Sequence, residues 1–142
     1  MAQAQETGGS LRLEILTPAK RVAELDVPMV TLPGMEGYFG VLPGHMPLIT
    51  KLKPGVISFE EGGMPRRVAV SAGIVETLPD RVIILARTAE FAKDVNAERA
   101  NRALAEAEKR MAALPQGDPG LEKEDERVRR AQARLQALEE GD

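Results

Sequence analysis

Hydrophobic and polar side chains alternate in short runs through the first part of the chain. In the run LRLEI, Leu11, Leu13 and Ile15 share one face, because successive side chains of a strand point to opposite sides. Segments rich in glycine and proline separate such runs, as in the sequence EEGGMP of Glu60–Pro65. Short strands divided by turns predict an antiparallel β-sandwich over residues 11–92.

The pattern changes after the last phenylalanine, where aromatic residues disappear and alanine, glutamate and arginine dominate. Apolar residues then recur every three or four positions over residues 97–114 and again over 121–138, as on one face of a helix. Asn96 and Asp118 stand where a side-chain oxygen can cap each helix. The second part therefore predicts an antiparallel two-helix hairpin over residues 94–139.

The apolar stripes of the predicted hairpin consist largely of alanine, with few larger side chains. A fully buried leucine, valine or methionine contributes about 1.5–3 kcal/mol, whereas ordering one backbone residue costs about 1–2 kcal/mol. We therefore expect the hairpin to be stable only when it is docked on another surface. Two interpretations remain open at this point: a mobile regulatory element or a simple C-terminal packing element.

The composition excludes several classes of function. A net charge of −3, from 19 basic and 22 acidic residues, lacks the basic surplus of nucleic-acid-binding proteins. One histidine and no cysteine argue against a transition-metal site or a thiol nucleophile, so we expect neither catalytic residues nor metal ligands. No apolar run reaches the roughly 18 residues that span a bilayer. Residues 1–10 are expected to form a disordered polar tail, not a signal peptide.

The segment GYFGVLPGHMPLIT, residues 37–50, collects the single tyrosine, the single histidine, and several glycines and prolines. It is too interrupted for a helix and too apolar for a free loop, so it predicts two strands around a Pro-Gly corner. His45 in this corner is a candidate pH-responsive group, with a purely structural role as the alternative. The candidates for the core are Phe39, Val41, Leu48 and Ile49.

Arginines cluster on the predicted helices. Arg127, Arg130 and Arg134 fall on one face of the second helix, and Arg99 lies in the first turn of the first. Such a group suits a phosphate chain or an acidic partner surface. The alternative is a solvated face whose arginines pair with glutamates of their own helix.

Three stretches resemble the epsilon subunit of F-type rotary ATP synthases. They are GYFGVLPGHMPLITKLKPG at residues 37–55, SAGIVETLPDRVIILARTAE at 71–90 and VNAERANRALAEAEKR at 95–110. The first is the most specific, because it carries Pro-Gly-His and Pro-Leu at the spacing of the family. The resemblance extends over residues 11–138, nearly the whole chain.

The resemblance implies a non-catalytic central-stalk subunit that turns with the rotor. Its partners would be the gamma subunit, the ring of c subunits and, when the hairpin extends, the catalytic alpha and beta subunits, where it blocks ATP hydrolysis; no nucleic acid is expected. It also implies a peripheral position on the cytoplasmic face of a bacterial membrane. Tyr38, His45 and Met46 are then candidates for the face that meets gamma or the c-ring.

In some bacterial members of that family the folded hairpin binds ATP as a regulatory ligand, and no cofactor is required. Carried over by position, this candidate nucleotide site consists of Glu90, Val95, Asn96, Arg99 and Ala100, and Arg127 and Arg130 of the arginine cluster are further candidates for phosphate contacts. Asn96 replaces the aspartate of the family, and Glu106 stands where ATP-binding members carry a basic residue, so both changes weaken the expected site. Arg87 occupies a position where the family often has aspartate.

Overall fold

The computed structural model describes residues 9–140, so most of the tail predicted at residues 1–10 lies outside the described residues. Within that range the chain forms ten strands. Their bounds are β1 Leu11–Leu16, β2 Arg21–Val27, β3 Val30–Gly34, β4 Gly37–Val41, β5 Leu48–Leu52, β6 Gly55–Glu61, β7 Met64–Val70, β8 Gly73–Leu78, β9 Arg81–Ala86 and β10 Ala89–Phe91.

Helices follow the strands in the order of the prediction. They are a 3-10 turn Ala92–Asp94, α1 Ala97–Ala113 and α2 Gly120–Glu140. The Asn96 side-chain oxygen accepts a hydrogen bond from the Arg99 amide at 2.9 Å, which confirms the predicted cap of α1. Asp118 Oδ1 likewise accepts the Gly120 amide at 2.7 Å at the start of α2.

The strands are hydrogen-bonded in the order β10-β7-β6-β3-β5-β8-β9-β1-β2, with β4 attached to β3. This continuous path wraps around a single core as a β-sandwich. One pair departs from the antiparallel prediction, because β1 and β9 run parallel with Leu13 opposite Val82. Residues 11–16 and 81–86 are separated by most of the sandwich, so no tight turn constrains them to antiparallel pairing.

The core of the sandwich is aliphatic. The three alternating residues of the first strand, Leu11, Leu13 and Ile15, are all 0% exposed, as their spacing predicts. Val41 is also buried, and Phe39 packs on the core while half-buried.

The prediction that Leu48 and Ile49 belong to the core is wrong, because their side chains are 40% and 69% exposed. Both lie on β5. Ile49 shares the outward face with Lys51, while Leu48 shares the inward face with Leu52 but lies at the beginning of the strand. The apolar residues of β5 therefore lie partly on the surface and partly in the core.

The helical hairpin is folded onto the sandwich through α2. On β6, Ile57 points into the core, so its neighbour Val56 points to the opposite face of the sheet. That outer face is covered by α2, and α1 packs mainly on α2. The side chains buried at this contact are Val56, Ala69, Ala92, Ala133 and Ala137. The contact thus depends on small side chains, in keeping with the alanine-rich stripe of the sequence.

Candidate functional site

Two adjoining cavities lie where α2 meets β10 and the 3-10 turn. The larger has a volume of about 490 Å³, and the smaller of about 150 Å³. Glu90, Asp94 and Arg134 line both, and Arg134 Nε lies 3.1 Å from Glu90 Oε1. This ion pair joins the sandwich to α2, so both parts of the chain build the site.

Arg130 is the notable cation of the larger cavity. Among residues 9–140 it forms no salt bridge, whereas Arg127 and Arg134 on either side of it do. Burial, followed by the neighbouring guanidinium of Arg134, lowers the pKa of Arg130, and only the Glu126 carboxylate opposes that shift appreciably. An anion in the cavity would relieve this concentration of positive charge.

The cavities bring together most of the predicted nucleotide-site residues. The smaller cavity is lined by Glu90, Asn96, Arg99 and Ala100, and the larger by Glu90 and Arg130. The Asn96 side chain is already engaged as the cap of α1, and the cations of the smaller cavity are Arg99 and Arg134, of which Arg134 pairs with Glu90.

Val95 and Arg127 belong to the predicted set but line neither cavity. Arg127 lies seven residues before Arg134, about 10 Å along the helix axis, and its guanidinium lies 2.8 Å from Glu124. The prediction omitted Arg134 as a ligand residue, although its spacing of four from Arg130 places the two on one face. Lys20 and Asp94 also line the cavities, and no motif pointed to them.

A buried carboxylate joins the two helices of the hairpin. The Glu124 residue is only 7% exposed. Its two oxygens accept hydrogen bonds from Arg110 on α1, at 3.0 Å, and from Arg127 on α2, at 2.8 Å. Burial alone would raise the pKa of Glu124, but the two guanidinium groups outweigh it and hold the pKa below its ordinary value of 4.5.

Of the predicted partner-interface residues, His45 and Met46 occupy the Pro-Gly corner, whereas Tyr38 lies on β4 opposite Pro33. Tyr38 is half exposed, and its hydroxyl accepts a hydrogen bond from the Val56 amide at 3.0 Å. His45 Nδ1 lies 2.8 Å from the carbonyl oxygen of Met46 and 3.2 Å from the hydroxyl of the buried Thr77. His45 therefore stabilises the corner, while Met46 is 70% exposed.

Beside that corner, apolar side chains lie on the outer face of β5, β8 and β9. Ile74 lies opposite Leu85 in the strand register, and both are about half exposed. Ile49 lies on the same face, diagonal to Ile74 and next to Lys51 and Glu76, and the three exposed side chains form an apolar strip, a feature typical of a surface that binds another protein. Ile49 was assigned to the core by sequence, and the strip had no motif that could reveal it.

No helix within residues 9–140 is both long enough and apolar enough to cross a membrane. Over the same residues, no group of three or more histidine or carboxylate side chains is arranged to hold a metal ion.

Residues 10–92 match the family described as ATP synthase, Delta/Epsilon chain, beta-sandwich domain. The ATP synthase epsilon chain of Moorella thermoacetica is 45% identical over 131 residues, which cover 90% of this chain and 96% of the relative. That of Anaeromyxobacter dehalogenans strain 2CP-C is 43% identical over 126 residues, with coverages of 89% and 96%. These alignments include the hairpin as well as the sandwich.

Solved structures share the fold at lower sequence identity. A chain in the Euglena gracilis mitochondrial ATP synthase, solved as OSCP/F1/c-ring, has a TM-score of 0.78 at 20% identity and covers 96% of this chain and 87% of its own. A chain in the central stalk/c-ring of the Tetrahymena thermophila mitochondrial ATP synthase has a TM-score of 0.60 at 14% identity, with coverages of 93% and 98%.

Replacing Glu124 with glutamine should weaken the α1–α2 contact at neutral pH. A carboxylate whose pKa is lower in the folded than in the unfolded protein stabilises the fold at pH values above its unfolded pKa. That contribution is lost as the pH falls through the folded pKa. The variant should therefore melt earlier than the wild type at about pH 7, and the difference in melting temperature should shrink as the pH falls below the ordinary carboxylate pKa of 4.5. Far-UV circular dichroism of thermal unfolding measures this, with the exposed Glu108→Gln as control. Equal melting of Glu124→Gln and wild type at neutral pH would contradict the assignment.

Proposed function

The chain belongs to the family of ATP synthase delta and epsilon chains, and from that premise we propose that it is a non-catalytic rotor subunit of an F-type ATP synthase. It would lie in the central stalk and help couple proton translocation to ATP synthesis carried out by other subunits. The observation that carries the proposal is the identity to epsilon chains, 45% and 43%, across sandwich and hairpin together. A peripheral position on the cytoplasmic face of a bacterial membrane follows from the same role.

The gamma subunit is the proposed partner of the apolar strip formed by Ile49, Ile74 and Leu85. An exposed apolar surface next to polar residues such as Lys51 and Glu76 fits a protein interface with a hydrophobic centre. The corner of His45 and Met46 adjoins this strip, and together with Tyr38 on β4 it is the proposed contact with gamma or with the c-ring. The hydrogen bonds of His45 would keep the corner rigid for that contact.

Replacing Ile49 with aspartate should weaken binding to purified gamma by about tenfold or more, since an unpaired carboxylate buried in an interface costs several kcal/mol. Isothermal titration of gamma with each variant measures this. Met64→Asp is the matched control, because Met64 is comparably exposed but lies on β7, which is not a neighbour of β5. Unchanged affinity of Ile49→Asp would exclude this strip as the interface. A folded wild-type chain that fails to bind gamma would overturn the rotor role itself.

The hairpin is the proposed regulatory element. Its contact with the sandwich depends on alanines, which bury little area, so its release costs less than the loss of a leucine-rich contact. The released helices would extend toward the catalytic alpha and beta subunits and block ATP hydrolysis.

Ending the chain at Phe91 should raise ATP hydrolysis by the assembled enzyme without preventing assembly. The sandwich has its own core, and the shortened chain keeps every residue of the apolar strip. Hydrolysis rates of complexes reconstituted with full and shortened chains, at equal subunit content, test this. Identical rates would reduce the hairpin to a packing element.

Nucleotide sensing is a second proposed function, favoured by the cations that face the two cavities. Arg130 lacks an ion pair among the described residues, and Arg99 lines the smaller cavity. A triphosphate held by both would bridge α1 and α2 beside the sandwich, so ATP would favour the folded hairpin. ATP would thus be a regulatory ligand and not a cofactor.

Calorimetry with millimolar ATP should detect binding to the full chain, and Arg130→Gln should weaken it about tenfold or more, since charge-assisted phosphate contacts are strong. Arg102→Gln, an exposed position on α1 outside both cavities, should bind ATP as the wild type does. The absence of heat with the wild type would remove the nucleotide-sensing hypothesis and leave the rotor role intact.

A further inference from the structure

Salt bridges between α2 and the sandwich surround the alanine contact. Among residues 9–140 three such ion pairs are formed: Arg87 with Glu126 at 3.0 Å, Glu90 with Arg134 at 3.1 Å, and Arg67 with Glu140 at 3.3 Å. The three positions on α2 are separated by eight and six residues, or about 12 and 9 Å of helix axis. The pairs therefore span most of the length over which α2 is docked.

The two faces of α2 are held in different ways. Toward α1, the buried Glu124 is clamped by two arginines. Toward the sandwich, the buried contact consists of Val56 and alanines. The ion pairs around it differ in exposure, since the side chains of Arg67 and Arg134 are only 19% and 29% exposed. Arg87 is the most exposed of the three cations, with 65% of its side-chain area accessible.

We propose that these three pairs form an electrostatic latch that sets how often the hairpin leaves the sandwich, with Arg87 and Glu126 as the pair most sensitive to ionic conditions. The latch rests on the proposed function only in treating the hairpin as a mobile regulator. Exposed ion pairs are weak and are screened by salt, and an apolar contact made by alanines is small. Docking should therefore weaken as ionic strength rises.

In the proposed latch, Arg87 of the sandwich holds Glu126 of α2. One of its terminal nitrogens donates to both oxygens of Glu126, at 3.0 and 3.2 Å. An aspartate at this position would repel Glu126 instead. Arg87 also lies close enough to Arg130 for the two cations to oppose each other. Because of this opposing interaction, a double-mutant cycle is needed to isolate the pair.

A single introduced thiol can report undocking, because the chain contains no cysteine. Ala133 on α2 is 3% exposed because it packs against the outer face of β6 and β7. A thiol at this position reacts only when α2 leaves that face, so in Ala133→Cys the rate of reaction with a thiol reagent follows the undocked population. In this background, Arg87→Gln and Glu126→Gln should each raise the rate about two- to fivefold. The double variant should react no faster than the faster single variant, and Arg87→Lys should stay near the wild-type rate.

Three controls separate the latch from general destabilisation. Ala105→Cys, exposed on α1, should react at the same fast rate in every background. Arg129→Gln should leave the Ala133→Cys rate unchanged, because the ion pair of Arg129 with Asp125 stays within α2. Raising NaCl from about 0.05 to about 0.5 M should speed labelling of the wild-type background and have a smaller effect with Arg87→Gln.

Additive effects of the two glutamine substitutions, or labelling that is independent of salt, would overturn the latch. The measurement uses the purified full chain alone. Its failure is therefore distinguishable from failure of the rotor role, which is tested by binding to gamma and by hydrolysis of the assembled enzyme.

Discussion

The packing of α2 against the outer face of β6 and β7 is the contact on which the candidate site and the proposed regulation depend. Strand alternation creates it, because Ile57 and Val68 fill the core while Val56 and Ala69 turn outward toward the helix. Alanines on α2 allow close approach but bury little area. The same contact therefore positions the helix accurately and holds it weakly.

That contact brings charges from two parts of the chain together. Glu90 comes from β10 and Arg134 from α2, and they meet only while the hairpin is docked. Arg130 is then left in a half-enclosed cavity with too few carboxylates around it. A ligand that neutralises this charge would bind the docked form better and shift the equilibrium toward it. In the proposed latch the salt bridges around the contact act on the same equilibrium, so the ligand and the ionic strength would both act through α2.

The outer face of β5, β8 and β9 differs from that of β6 and β7, which α2 covers. Within residues 9–140 no segment buries its apolar strip, since Ile74 and Leu85, opposite each other in the strand register, remain half exposed. A β-strand pattern assigns alternate residues to two faces but cannot say which face a partner covers. For this reason Ile49 was placed in the core by its hydrophobicity, whereas its neighbours in the sheet place it outside.

Interactions between residues that are close in the sequence determined much of the secondary structure and the core of this protein. Alternation placed Leu11 and Ile15 in a sandwich core, helical spacing produced the hairpin, and Asn96 marked the first turn of α1, because each depends on neighbours a few residues away. Tertiary structure decided what depends on distant segments: the parallel pairing of β1 with β9, the folded position of the hairpin, and the meeting of Glu90 with Arg134. The same apolar stripe can serve a docked or a released helix, so only the three-dimensional contact shows which one forms.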